Sequence, residues 1–87
     1  MKNFEALWAE LNAKLEQSDP SSGTVNLVKA GVHSIGKKIM EEAGEVWIAA
    51  EYQSNQELAT EISQLIYYLQ VLAMARGVSL EDIYEQL

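Results

Sequence analysis

The sequence predicts an all-α domain, a bundle of four to five helices in which two long helices run antiparallel. Apolar residues recur three and four positions apart over long stretches, and no stretch shows the strict alternation of a β-strand. The only proline, Pro20, lies in the segment QSDPSSG, which is the one clear loop. With 87 residues in total, residues 1–87 are expected to form a single all-α domain.

In the first half of the chain, one helical segment is predicted before this loop and two are predicted after it. A helix over residues 3–17 is indicated by apolar residues at helical spacing: Phe4, Leu7, Trp8, Leu11 and Leu15. Residues 24–30 can form a short helical turn that ends at Gly31. A long helix over residues 32–52 then carries an apolar stripe of Ile35, Ile39, Ala43, Val46, Trp47 and Ala50.

The second half predicts another long helix and a short final one. Ser54 and Asn55 are both candidates for the N-cap of the long helix, which is expected to run to about residue 75. Its apolar residues are Leu58, Ile62, Leu65, Ile66, Leu69 and Leu72. Gly77 is a C-cap signal, and Ser79 then starts a last helix through residue 87, with acids in its first turn.

Composition excludes several functional classes. The net charge of −7 argues against a nucleic-acid-binding protein, which needs a basic surface, and suits one that collects divalent cations. The chain has no cysteine, which excludes disulfides and zinc–thiolate sites. The N-terminal residues do not resemble a signal peptide, and the most apolar stretch is about half of a membrane span. We therefore expect a soluble, cytoplasmic protein, and an apolar fraction of 48% in so small a domain favours an oligomer.

The most informative feature is a cluster of acidic residues in the segment KKIMEEAGEVW. At about 100° per residue, two lysines and three glutamates of this segment fall within an arc of roughly 140°: Lys37, Lys38, Glu41, Glu42 and Glu45. Glu61 flanks the apolar stripe of the next long helix, and Gln64 follows it by three residues. If the two stripes pack together, Glu61 reaches the same seam as Glu42 and Glu45. Four acids from two helices could then surround one cavity.

Two interpretations of this cluster remain open from spacing alone. The acids can belong to solvated helix faces, where Lys37–Glu41 and Lys38–Glu42 would form ion pairs in the less favourable order, with the cation nearer the N-terminus. Alternatively, like charges on one face indicate a bound cation. A hard ion such as Mg2+ prefers carboxylate oxygens and commonly binds substrate phosphates as well.

The order of the residues resembles that of the phosphoribosyl-ATP pyrophosphohydrolases, a family of the MazG-type all-α nucleotide pyrophosphohydrolases. The resemblance covers residues 22–87 and lies in GKKIMEEAGEVWIAA and in ATEISQLIYYLQVLAMARGVSLEDIYEQL. The superfamily pattern E-x-x-E, spacer, E-x-x-D is present as Glu42-x-x-Glu45 and Glu61-x-x-Gln64. The lysine pair and the RGVSLEDI block favour this branch over a housekeeping MazG-type enzyme that removes non-standard nucleoside triphosphates.

The resemblance implies Mg2+-dependent hydrolysis of phosphoribosyl-ATP to phosphoribosyl-AMP and pyrophosphate, the second step of histidine biosynthesis. It also implies a homodimer and the stand-alone form of the enzyme, without a cyclohydrolase domain. Glu42, Glu45 and Glu61 would be Mg2+ ligands, and Glu41 would be a further ligand or the base that orients water. The resemblance also implies that Lys37 and Lys38 bind the triphosphate oxygens.

The sequence departs from the family pattern at Gln64, which stands where the pattern usually has aspartate. An amide oxygen can bind Mg2+, directly or through water, but it brings no charge. We expect activity to be retained because the other acids are present. A non-catalytic helical dimerisation module is the alternative that this glutamine leaves open. Trp47 and Tyr67 could stack on an adenine ring, but their helical spacing favours the core or a dimer interface.

Overall fold

The computed structural model describes residues 1–87 and contains five helices and no strand. The helices are α1 (Phe4–Gln17), α2 (Gly23–Ala30), α3 (Val32–Tyr52), α4 (Asn55–Arg76) and α5 (Leu80–Glu85). The long helices α3 and α4 form the principal packing contact, while α1 and α2 pack across them. The predicted all-α class and the five predicted helical segments are confirmed.

Side-chain caps define where the helices begin. The Asn3 side chain accepts a hydrogen bond from the Ala6 amide at 2.8 Å and starts α1. The N-cap of α4 is Ser54, the first of the two predicted candidates, in a reciprocal capping box with Glu57. Gly31, with φ of 102°, separates α2 from α3 in a conformation that few other residues adopt. Asn3, Gly31 and Ser54 therefore set where α1, α3 and α4 begin.

The core is small and lies where α1, α3 and α4 meet. Its fully buried large side chains are Leu11, Ile35 and Val71, one from each of these helices. Partly buried residues surround them, among them Ile39 and Tyr67. Tyr67 thus packs against the core, in agreement with its predicted structural role. Only 10 of 87 residues are buried, which is consistent with a chain that has little apolar interior of its own.

The buried face of α3 differs from the predicted apolar stripe. The buried residues of this helix are Ile35, Glu42 and Ala49, which repeat every seven positions. Trp47 is 68% exposed, and Ala43 and Ala50 are exposed as well, so these three residues of the stripe are not buried within the single chain. The helix is rotated so that a glutamate, and not the tryptophan, faces α4. This rotation places the acidic cluster at the helix–helix seam.

Several large apolar side chains remain on the surface of the single chain. On α3 they are Val32, Met40, Trp47, Ile48 and Tyr52, and on α4 they are Ile62 and Leu69. Large apolar side chains that remain exposed on a single chain are common at protein–protein interfaces. None of the five helices combines the length and the hydropathy that a membrane span requires.

Candidate active site

Three carboxylates converge at the seam between α3 and α4. Glu42 and Glu45 lie one turn apart on α3, and Glu61 comes from α4. One carboxylate oxygen from each of these residues lies within 4.8 Å of those of the other two. The structure therefore brings together the three acids that the sequence predicted as metal ligands, and it does so from two separate helices.

Glu42 is the buried member of this cluster, with 4% of its surface exposed. Its Oε1 atom has no hydrogen-bond partner and no contact with solvent, and Oε2 of Glu61 is in the same situation. Burial raises the pKa of Glu42 to about 8, and hydrogen bonding and charge repulsion from Glu45 and Glu61 add to this shift. In the absence of a cation, Glu42 is therefore mostly protonated at neutral pH.

The donor set fits a hard divalent cation. All three ligands are carboxylates, and two of their oxygens are buried without any partner. Unpaired buried oxygens destabilise a folded chain, and a cation among them would satisfy both at once. Mg2+ commonly uses a few carboxylates and completes its coordination shell with water and phosphate oxygens. The residues present therefore suit a metal that also contacts a phosphorylated substrate.

The other predicted site residues lie around the cluster but not within it. Glu41 is exposed, and its carboxylate lies 3.7 Å from Nζ of Lys38. This ion pair joins residues three positions apart, whereas the expected ion pairs, Lys37–Glu41 and Lys38–Glu42, are four positions apart and are not formed. Lys37 is exposed and forms no salt bridge. Gln64 is exposed on α4, about one turn beyond Glu61. All four side chains are accessible to a ligand that approaches α3 and α4.

A polar cleft on another part of the surface was not predicted from the sequence. It has a volume of about 500 Å3 and lies between the end of α1, the start of α2 and α4. Thr24 and Tyr67 meet there, with their hydroxyl oxygens 2.7 Å apart. These two residues are 43 positions apart, so no local spacing pattern could have paired them.

The fold and the cluster define the class of this protein as a small all-α protein in which two helices bring three carboxylates together. The phosphoribosyl-ATP pyrophosphohydrolase family matches residues 4–87. The phosphoribosyl-ATP pyrophosphatase of Salinibacter ruber (strain DSM 13855 / M31) is 58% identical over 87 residues, which is the whole length of both chains. The chain belongs to the phosphoribosyl-ATP pyrophosphohydrolase family, a family of hydrolases, and the predicted resemblance is confirmed.

Proposed function

We propose that this protein hydrolyses phosphoribosyl-ATP between the α- and β-phosphates, giving phosphoribosyl-AMP and pyrophosphate, as the second step of histidine biosynthesis. The family match and the full-length similarity to a phosphoribosyl-ATP pyrophosphatase support this substrate. The observation that carries the proposal is the Glu42–Glu45–Glu61 cluster with its two unpartnered buried oxygens. In a phosphoanhydride hydrolase, such a cluster would hold the metal ion that contacts the phosphates. A protein that serves only as a helical scaffold needs no such metal site.

We assign Mg2+ as the metal and Glu42, Glu45 and Glu61 as the residues that would hold it, with Gln64 as a further ligand, either directly or through water. When bound, Mg2+ neutralises phosphate charge and favours attack on the phosphorus by water. The absence of charge on Gln64 leaves the cluster with three carboxylates. The Gln64 amide can still donate a hydrogen bond to a ligand, which an aspartate cannot do.

The side chains around the cluster supply the remaining roles. Glu41 lies one helical turn before Glu45 and remains accessible, so we assign it to orient the attacking water and accept its proton. Lys37 and Lys38 lie on the same helix and present two cations to the triphosphate oxygens, where they stabilise charge on the departing pyrophosphate. Lys38 is within 4 Å of Glu41, which keeps the lysine close to the reacting groups.

We further propose that the protein functions as a homodimer in the cytoplasm and binds neither nucleic acid nor membranes. The single chain fully buries only three large side chains, while Trp47, Ile48 and Leu69 remain on the surface. Burial of these apolar side chains by a second copy would enlarge a core that is small for a stable domain. The net charge of −7 is unsuited to a nucleic-acid backbone. Sedimentation analysis of the mass in solution tests the dimer.

The decisive experiment is pyrophosphate release from phosphoribosyl-ATP, with and without Mg2+, beside a panel of ordinary and modified nucleoside triphosphates. Metal-dependent turnover of phosphoribosyl-ATP alone is the expected result. Turnover of the panel instead would indicate the housekeeping MazG-type activity. No turnover of any substrate would indicate a non-catalytic helical module in which Gln64 replaces an essential aspartate.

A further inference from the structure

The polar cleft between α1, α2 and α4 has the size and chemistry of a ligand site. Its volume of about 500 Å3 lies within the range of about 300–1,000 Å3 typical of small-molecule sites. Six of its seven lining residues are not hydrophobic, and Tyr67 is the exception. The side chains that line it with polar groups are those of Lys14, Gln17, Asp19, Ser22 and Thr24. A lining of this kind suits a ligand rich in hydroxyl and phosphate groups more than a flat aromatic base.

Hydrogen bonds hold the cleft walls in place. Thr24 is 4% exposed, and its hydroxyl group shares a hydrogen bond of 2.7 Å with the Tyr67 hydroxyl, which joins α2 to α4. Asp19 Oδ1 accepts hydrogen bonds from the amide and the hydroxyl of Ser21, at 2.9 and 2.8 Å. Its other oxygen, Oδ2, makes no hydrogen bond within the protein and can accept one from a ligand hydroxyl. The cleft thus presents a carboxylate acceptor in a fixed orientation.

The cleft also contains an uncommitted cation. The salt bridges of the protein are Lys2–Glu10 and Lys38–Glu41, so Lys14 forms no salt bridge. Glu10 is held by Lys2, whose hydrogen bond lowers the pKa of Glu10, and the charge of Lys14 helps to lower it. A lysine at a cleft can bind a phosphate by a charge-assisted hydrogen bond. The nearby Gln17 amide offers both donors and an acceptor. Together, Lys14 suits a phosphate group, and Asp19, Gln17 and Thr24 suit sugar hydroxyl groups.

The position of Tyr67 relates this cleft to the acidic cluster. Tyr67 follows Glu61 by six residues on α4, which is about 9 Å along the helix axis and about 120° around it, and the exposed Gln64 lies between the two. An extended ligand that passes over Gln64 can therefore contact the carboxylate cluster at one end and the cleft at the other. We propose that the cleft binds the ribose 5-phosphate portion of the substrate and so contributes to substrate specificity. This inference rests on the proposed function. It gives a binding site to the second anionic group of phosphoribosyl-ATP, the 5-phosphate, beside the triphosphate.

The test separates binding of the phosphoribosyl group from turnover. Dissociation constants of AMP and phosphoribosyl-AMP are measured by titration calorimetry with Mg2+ present, and their ratio reports the contribution of the phosphoribosyl group. Lys14→Ala is expected to reduce this ratio about tenfold, the scale of one charge-assisted hydrogen bond. Thr24→Val is expected to reduce it several-fold, because it removes a cleft hydroxyl while conserving volume. Lys29→Ala removes a cation outside the cleft and should leave the ratio unchanged.

The outcomes distinguish the cleft assignment from the proposed hydrolase function. An unchanged ratio in Lys14→Ala with normal helical circular dichroism would overturn the cleft assignment. Equal affinities of the wild-type protein for AMP and phosphoribosyl-AMP would overturn it as well, whatever the fate of Thr24→Val. Pyrophosphate release by the wild-type protein decides the proposed function separately. Tight, Lys14-dependent binding of phosphoribosyl-AMP without turnover would support the cleft and reject the hydrolase.

Discussion

Replacement of Glu42 by glutamine is expected to stabilise the metal-free protein while destroying its metal site. Glu42 is buried against two other carboxylates, and one of its oxygens has no partner. A glutamine has nearly the same shape and stays neutral at every pH. Its amide group can donate hydrogen bonds to Glu45 and Glu61, which a deprotonated Glu42 cannot do. Glu42→Gln therefore mimics the protonated glutamic acid that the metal-free fold prefers.

The sign and size of the effect follow from the raised pKa. Burial raises the pKa of Glu42 from 4.5 to about 8, so the folded protein holds a proton that the unfolded chain releases between these values. Stability of the metal-free wild type therefore falls as pH rises from about 5 to 8. At about 1.4 kcal/mol per tenfold change in acidity, the upper limit is about 5 kcal/mol. Water entry and relaxation reduce this value, so we expect about 2–5 kcal/mol.

Urea unfolding in EDTA at pH 5 and pH 8.5, at one protein concentration, measures this difference. Glu42→Gln should be more stable than the wild type at pH 8.5. This difference in the free energy of unfolding should be smaller at pH 5. Glu41→Gln is the matched control, because this neighbouring glutamate is exposed and should show no such dependence. Added Mg2+ should stabilise the wild type at pH 8.5 but not Glu42→Gln. A wild type whose stability rises between pH 5 and 8.5 would refute the reasoning.

Three further changes test the site and the fold. Glu45→Gln should lower turnover more than about 100-fold with an intact helical spectrum, because loss of a direct ligand exceeds the 10–100-fold effect of outer-shell partners. Gln64→Asp should bind Mg2+ equally or more tightly by titration calorimetry, since it adds a charge beside Glu61. Ser54→Ala should lower the free energy of unfolding by about 1 kcal/mol in urea, through loss of the α4 capping box.

Controls and contrary outcomes are available for each change. Glu51→Gln removes a glutamate of α3 outside the cluster and should retain turnover, whereas near wild-type turnover in Glu45→Gln would exclude that residue as a ligand. Weaker Mg2+ binding by Gln64→Asp would show that residue 64 points away from the metal. Ser63→Ala, a substitution inside α4, should not destabilise the protein. An equal loss in Ser54→Ala and Ser63→Ala would remove the capping explanation.

Local signals in the sequence predict the helices well because each helix has its own start and stop residues. Ser54 with Glu57 and Ser79 with Asp82 form capping boxes in the structure. Gly77, predicted as a C-cap, has φ of 71° and ends α4. These signals act within a few residues of the boundary that they define. The starts of α4 and α5 and the end of α4 therefore follow from the chain itself, whereas α5 ends at Glu85, before the predicted residue 87.

The face of α3 that is buried could not be predicted in the same way. A glutamate and a tryptophan, Glu42 and Trp47, compete for the interior, and hydrophobicity favours the tryptophan. The structure buries Glu42 and exposes Trp47, because helix rotation is set by packing across α4 and not by α3 alone. The resemblance to the family grouped Glu42, Glu45 and Glu61, and the structure brings these three carboxylates together. Their burial, and hence the shifted pKa of Glu42, required the tertiary structure.

The structure weighs against the interpretation that these acids belong only to solvated helix faces. A solvated face leaves each carboxylate in water, yet Glu42 is buried and oxygens of both Glu42 and Glu61 lack partners. One proton on Glu42 can form a hydrogen bond to a neighbouring carboxylate, but it supplies no positive charge to balance Glu45 and Glu61. A divalent cation can contact oxygens of Glu42, Glu45 and Glu61 together. The cluster is thus expected to destabilise the metal-free fold, and a bound cation would relieve this cost.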